Sequence, residues 1–276
     1  MIGFASRRWR NTILVVLAIA ALGWLGKIHA DSLTPGTFAS GWLLLIVCLF
    51  LAAYNAKKKL PFLPTLKSST WLQAHLYVGY FSIALFFMHV GLRGPHGPFL
   101  TLLYLLFCGV VASGLFGICI SRLFPRRMSI RGEEVIFERI PQFRRRLNEQ
   151  AEDLVVRAVS ETDATTIAEF YRERLADFFA APRNFWMHLV QSTRPRYLMI
   201  RDLGALDRYF NDREREFSRE LITVIEAKDD LDFYYAHQAT LKGWLFFHVA
   251  CTYAMLLCAV LHVILVHAFS TTGGIH

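Results

Sequence analysis

Five stretches of apolar residues, each close to the roughly 20 needed to cross a bilayer as a helix, constrain this chain more than any other feature. They run over Asn11–Ile28, Ser40–Ala56, Trp71–Leu92, Phe99–Leu123 and Gly243–Phe269. With 54% hydrophobic residues and a mean hydropathy of +0.35, the chain is too apolar for an ordinary soluble domain. The pattern predicts an all-α integral membrane protein with about five transmembrane helices in a bundle. Residues 1–124 hold helices one to four. Residues 125–240 form a soluble, mainly helical insertion, and residues 241–276 hold helix five and a short outer tail.

The insertion stands out by charge. Every acidic residue except Asp31 lies within Pro125–Thr240. The basic residues set the orientation. Arg7, Arg8 and Arg10 flank span one, Lys57–Lys59 and Lys67 lie between spans two and three, and Arg122, Arg126 and Arg127 follow span four. Threaded through five spans, these clusters fall on one side, which the positive-inside rule makes cytoplasmic. The expected setting is a bacterial-type inner membrane, with lipid as a partner, the N-terminus and insertion cytoplasmic and the C-terminus periplasmic. The net charge of +8 is largely this topology signal and carries no nucleic-acid reading. Span one reads as a retained helix. Its apolar run is long for a signal sequence, and Ile28-His29-Ala30 is a poor cleavage site.

Two spans carry histidines at matched spacing. His75 and His89 bracket HLYVGYFSIALFFMH, and His248 and His262 bracket HVACTYAMLLCAVLH. Fourteen residues of helix advance about 21 Å and nearly four whole turns, so each pair shares one face near opposite ends of its span. Spans three and five run in the same direction. His75 is then level with His248 on the cytoplasmic side, and His89 with His262 on the outer side. Ionisable residues in hydrocarbon are costly and mark function. Two facing imidazoles at each level suit an octahedral haem iron, which takes two axial nitrogens. Zinc fits less well, for want of third and fourth ligands. Gly79, Ser82, Thr252 and Ala259 are small residues on the histidine faces that leave room for a flat macrocycle. Phe86 and Met255 are expected to fill the space between the two rings. Hydrogen-bonded membrane histidines without a metal are the plainer reading of any one of the four.

Arg93, one turn beyond His89, and Lys242, six residues before His248, are placed to pair with haem propionates or to act as interfacial anchors. The five cysteines form no CxxC and no CxxCH, and read as small apolar packing residues. In the insertion, Arg131–Ile140 reads as a strand pair or extended arm. Phe143–Ser160, Ala164–Ala180 and Ala205–Ala227 have helical periodicity, with Thr162 or Asp163 capping the second. No GxGxxG or Walker A loop occurs. The arginine-rich pieces read as solvated helix faces, or as a surface that docks another subunit.

The paired His-x13-His spans resemble the dihaem b-type membrane cytochromes, including respiratory cytochrome b and the membrane domains of ferric reductases. The resemblance covers spans three to five and carries over His75, His89, His248 and His262. The large insertion and the lack of a C-terminal flavin and nicotinamide domain depart from the ferric-reductase pattern. It implies two b-type haems, His75 with His248 and His89 with His262, in an electron-transfer subunit of a respiratory oxidoreductase. Quinone and a periplasmic multihaem cytochrome c or iron–sulfur protein are the expected redox partners. A stand-alone transmembrane ferric or oxygen reductase, and a non-redox membrane scaffold or sensor, are the alternatives.

Overall fold

The computed structural model describes residues 4–30, 36–59, 68–91, 94–131 and 135–270. The fold is all-α. Helices α1 (Phe4–Ala30), α2 (Gly36–Lys59), α3 (Ser68–Val90) and α4 (Pro98–Ile130) come first. Then follow α5 (Ile140–Thr162), α6 (Thr166–Phe170), α7 (Ala176–Ala180), α8 (Phe185–Leu189), α9 (Arg194–Gly204) and α10 (Asp212–Ser270). Among the described residues, four segments are long and apolar enough to cross a membrane: Phe38–Asn55 within α2, α3, α4 and Asp212–Phe269 of α10. The apolar part of α1, Trp9–Trp24, is shorter. Trp9 and Trp24 are both about 70% exposed and sit about 22 Å apart along the helix, the spacing of an interfacial aromatic belt.

The chain divides into two compact units, Met1–Phe116 with Phe246–His276, and Gly117–Leu245. In the first, α1 and α2 pack on α3. Leu22, Val47 and Leu85 bury one seam between them. A second seam joins Cys48, Phe86, Phe107 and Met255, with the Phe86 and Phe107 rings stacked 3.9 Å apart. Large apolar side chains such as Leu105, Leu257 and Phe246 remain exposed. This is the inside-out surface of a bundle whose solvent is lipid rather than water.

The second unit has a conventional core. Ala151, Leu154 and Ala158 on α5 recur at helical spacing and meet Phe178, Phe179 and Leu203. Phe217, Leu221 and Ile225, one turn apart on α10, close the cluster. The first turn of α10 is held by a reciprocal cap: Asn211 N–H donates to Glu214 Oε2 at 2.9 Å, and Glu214 N–H donates to Asn211 Oδ1 at 2.8 Å. Such a box satisfies donors that a helix start otherwise leaves without partners. At the other end of this unit, a Cβ added at Gly117 would overlap the Trp244 ring, so glycine lets α10 lie close on α4.

Three local expectations change. Of the stretch expected as a strand pair or extended arm, 132–134 lie outside the described residues; among the described residues there is no strand, and a 3-10 turn at Phe137–Arg139 runs directly into α5. Neither Thr162 nor Asp163 caps the next helix. Asp163 closes α5 in a left-handed conformation (φ 52°), and Thr162 donates its hydroxyl back to the Ala158 carbonyl. The helix expected over Ala205–Ala227 is split by a 3-10 turn at Asp207–Tyr209, after which α10 runs for 59 residues without interruption. No glycine or proline lies between Asp212 and Lys242, so nothing in that stretch breaks the helix.

Candidate functional site

The four paired histidines all lie in the first unit, two on α3 and two on α10. The structure brings His89 and His262 together, with ring centroids 6.5 Å apart and planes at 79°. His89 Nδ1 is 3.1 Å from the Ser40 hydroxyl of α2. The same ring brings its Cε1 edge close to α2 at Gly41, where an added Cβ would come within 2.8 Å of His89 Cε1. At the other level, His75 packs on the Tyr54 ring at 5.2 Å. His248 Nδ1 is 3.2 Å from the Ser113 hydroxyl of α4. A Cβ at Gly114 would sit 3.6 Å from His248 Cε1, an ordinary contact. Asn55 Nδ2 donates to the Tyr253 hydroxyl at 3.1 Å, linking α2 to α10.

Between the histidine levels, Phe86 and Met255 share one buried cluster with Cys48 and Phe107. Ser82 is buried and donates to the Gly79 carbonyl at 2.7 Å. A Cβ added at Gly79, one turn from His75, would meet no described atom within 4 Å. Thr252 donates to the His248 carbonyl at 2.8 Å.

Arg93 lies outside the described residues. Lys242 belongs to the second unit, where its Nζ is 2.5 Å from Glu138 Oε1 and 4.0 Å from the Phe137 ring centre. The carboxylate that it meets is thus Glu138. His267 sits between Phe38 and Trp42 at the end of α10, and His96 is exposed. Among the described residues, no three His, Cys, Asp or Glu side chains converge as a metal-ligand set.

Sequence reasoning missed the serine–glycine partners, although a signal for them is present. Ala-Ser-Gly occurs twice, at 39–41 and 112–114, and each copy meets one of the paired histidines. It also missed a buried charged cluster in the second unit. His188 and Asp229 are nearly inaccessible, with His188 Nε2 3.8 Å from Asp229 Oδ1. Arg131 and Arg196 approach Asp229 and Asp230 from two other segments. His237 is fully buried against Phe233 and Phe124.

Burial, reinforced by Arg131, pushes His188 down to about 4. Burial pushes Asp229 up to about 6, against the pull of Arg196 and Arg131. The consequences for stability oppose each other. His188 favours the folded state at neutral pH and loses that contribution as pH falls from its free value toward 4. Asp229 does the reverse, costing stability as pH rises toward 6. Asp229→Asn leaves only the histidine. The variant is expected to lose about 2 kcal/mol relative to wild type as pH falls from 6.5 to 4.5. Thermal melting across that range reads the difference, and a constant difference would remove the assignment.

An all-α fold with several long apolar helices is the architecture of a multi-pass membrane helix bundle, and its facing helices α3 and α10 carry the paired imidazoles. Compared with protein-family models, curated proteins and solved structures, the chain matches none.

Proposed function

We propose that the chain is a dihaem cytochrome b subunit that carries electrons across the membrane, with one b-type haem between His75 and His248 and another between His89 and His262. The observation that carries this reading is the 6.5 Å separation of the His89 and His262 rings. A metal–nitrogen bond of about 2 Å on each side, with each ring centre about 1 Å behind its nitrogen, spaces two axial imidazoles by about 6 Å. Planes turned by 79° suit axial ligands, which need only share the iron–nitrogen axis. With two protein ligands at that position, the other four must come from a macrocycle. The contacts at His89 and His248 engage Nδ1, the ring nitrogen that a metal-binding histidine commonly turns to an orienting partner.

A bound haem supplies one-electron transfer. The chain's own residues hold the two imidazoles in register, exclude water with apolar walls and tune the potentials by burial. Electrons pass between quinone or a cytoplasmic-side donor or acceptor and a periplasmic partner, a multihaem cytochrome c or an iron–sulfur protein. The chain is then an electron-transfer subunit of a respiratory oxidoreductase in a bacterial-type inner membrane, with α1 as a fifth span and the insertion cytoplasmic. Arg93 would serve a propionate in this reading. A reduced-minus-oxidised visible spectrum of the detergent-purified chain, with haem quantified as the pyridine complex, tests it. Two low-spin b-type haems per chain are expected; a folded, colourless protein would sink the proposal.

A further inference from the structure

We infer that the two Ala-Ser-Gly tripeptides are seats for axial histidines: Ser40 and Gly41 of α2 position His89, and Ser113 of α4 positions His248. This rests on the dihaem reading and adds the residues that orient its ligands. The same three residues recur on two helices that carry none of the four histidines. In each copy the serine hydroxyl lies 3.1 or 3.2 Å from Nδ1 of the ring, and the next residue faces Cε1 of that ring. One serine seats a ring of the outer pair and the other a ring of the inner pair, so each level has one histidine held this way.

The chemistry of the two residues is complementary. A membrane-helix serine commonly turns its hydroxyl onto its own backbone, as Ser82 does. Ser40 and Ser113 each reach a ring on another helix. An Nδ1–H donating to the serine oxygen puts the ring's lone pair on Nε2 and would make the imidazole a stronger electron donor to a metal bound there. In the first copy the adjacent glycine, Gly41, also removes a Cβ that would push the ring away. The two glycines differ in how strictly they are needed. At position 41 a Cβ would come within 2.8 Å of Cε1, closer than Cβ atoms pack; at 114 it would stand at 3.6 Å.

The test is a redox titration of the full-length detergent-purified chain, read by visible absorption and low-temperature electron paramagnetic resonance. Ser40→Ala is expected to raise one of the two midpoint potentials and leave the other in place. Ser113→Ala is expected to raise the other. Ser40→Thr, which keeps the hydroxyl, restores the wild-type value. Gly41→Ala alters the resonance of the same centre that Ser40→Ala shifts. Wild-type protein with two haems whose potentials do not move in either serine-to-alanine variant overturns the seats while the dihaem reading stands. Both serine variants shifting the same centre also overturns them. Folded wild-type protein without haem overturns the dihaem reading and the seats with it.

Discussion

Replacing His89 by alanine is expected to halve the haem bound per chain while leaving the helical content unchanged. His89 faces His262 at 6.5 Å, and an iron that loses one of two axial imidazoles loses half of its protein anchorage. The other level, with His75 against Tyr54 and His248 at Ser113, shares none of these side chains, so one low-spin haem remains. His262→Ala should give the same stoichiometry and the same surviving spectrum, because the two variants empty one site from opposite sides. Pyridine-complex quantification and a redox titration with a single remaining wave measure both. Two haems persisting at full yield in either variant would show that the ligands lie elsewhere.

The second large effect belongs to the other unit. Lys228 and Asp232, one turn apart on α10, are almost completely buried, with Nζ 2.5 Å from Oδ2. Lys228 also donates to the Ala181 carbonyl at 3.1 Å, and Asp232 accepts the Arg183 N–H at 3.0 Å. Lys228→Met leaves a buried carboxylate without its counter-charge, which costs about 3–5 kcal/mol. Asp232→Asn in the same background removes that charge and keeps an acceptor for Arg183, so it should restore more than half of the loss. Amide exchange in α5 and α9, compared across the three proteins, reads the stability of this unit directly. A loss of less than about 1 kcal/mol in Lys228→Met would mean that the pair behaves as a solvated surface bridge.

What could be read ahead of the structure was set by local periodicity. Uninterrupted apolar runs marked α2, α3 and α4, because a helix in lipid must satisfy its backbone internally and shows a continuous apolar exterior. The His-x13-His spacing placed two imidazoles on each helix face, since rotation per residue alone fixes that. What stayed hidden depends on which distant segments meet. Arg131, Arg196 and Asp229 come from three separated stretches, and each by itself looks like an ordinary solvated charge. The continuity of α10 was obscured by the polar residues before Gly243, although no helix breaker stands among them. Ser40 and Ser113 are unremarkable until their neighbours are known; only the repetition of Ala-Ser-Gly sets them apart.

The order in which these parts leave the ribosome has its own consequence. His248 emerges 159 residues after His89, a delay of about 10–30 s at ordinary synthesis rates. Throughout that interval α3 waits in the bilayer with both of its imidazoles lacking their opposite numbers on α10. Ser40 and Tyr54 precede α3, and Ser113 precedes α10, so the rings of His75, His89 and His248 are each made after the neighbour that they meet. Assembly therefore proceeds by presenting each late side chain to a prepared receptor, and the last helix to be made closes both levels at once.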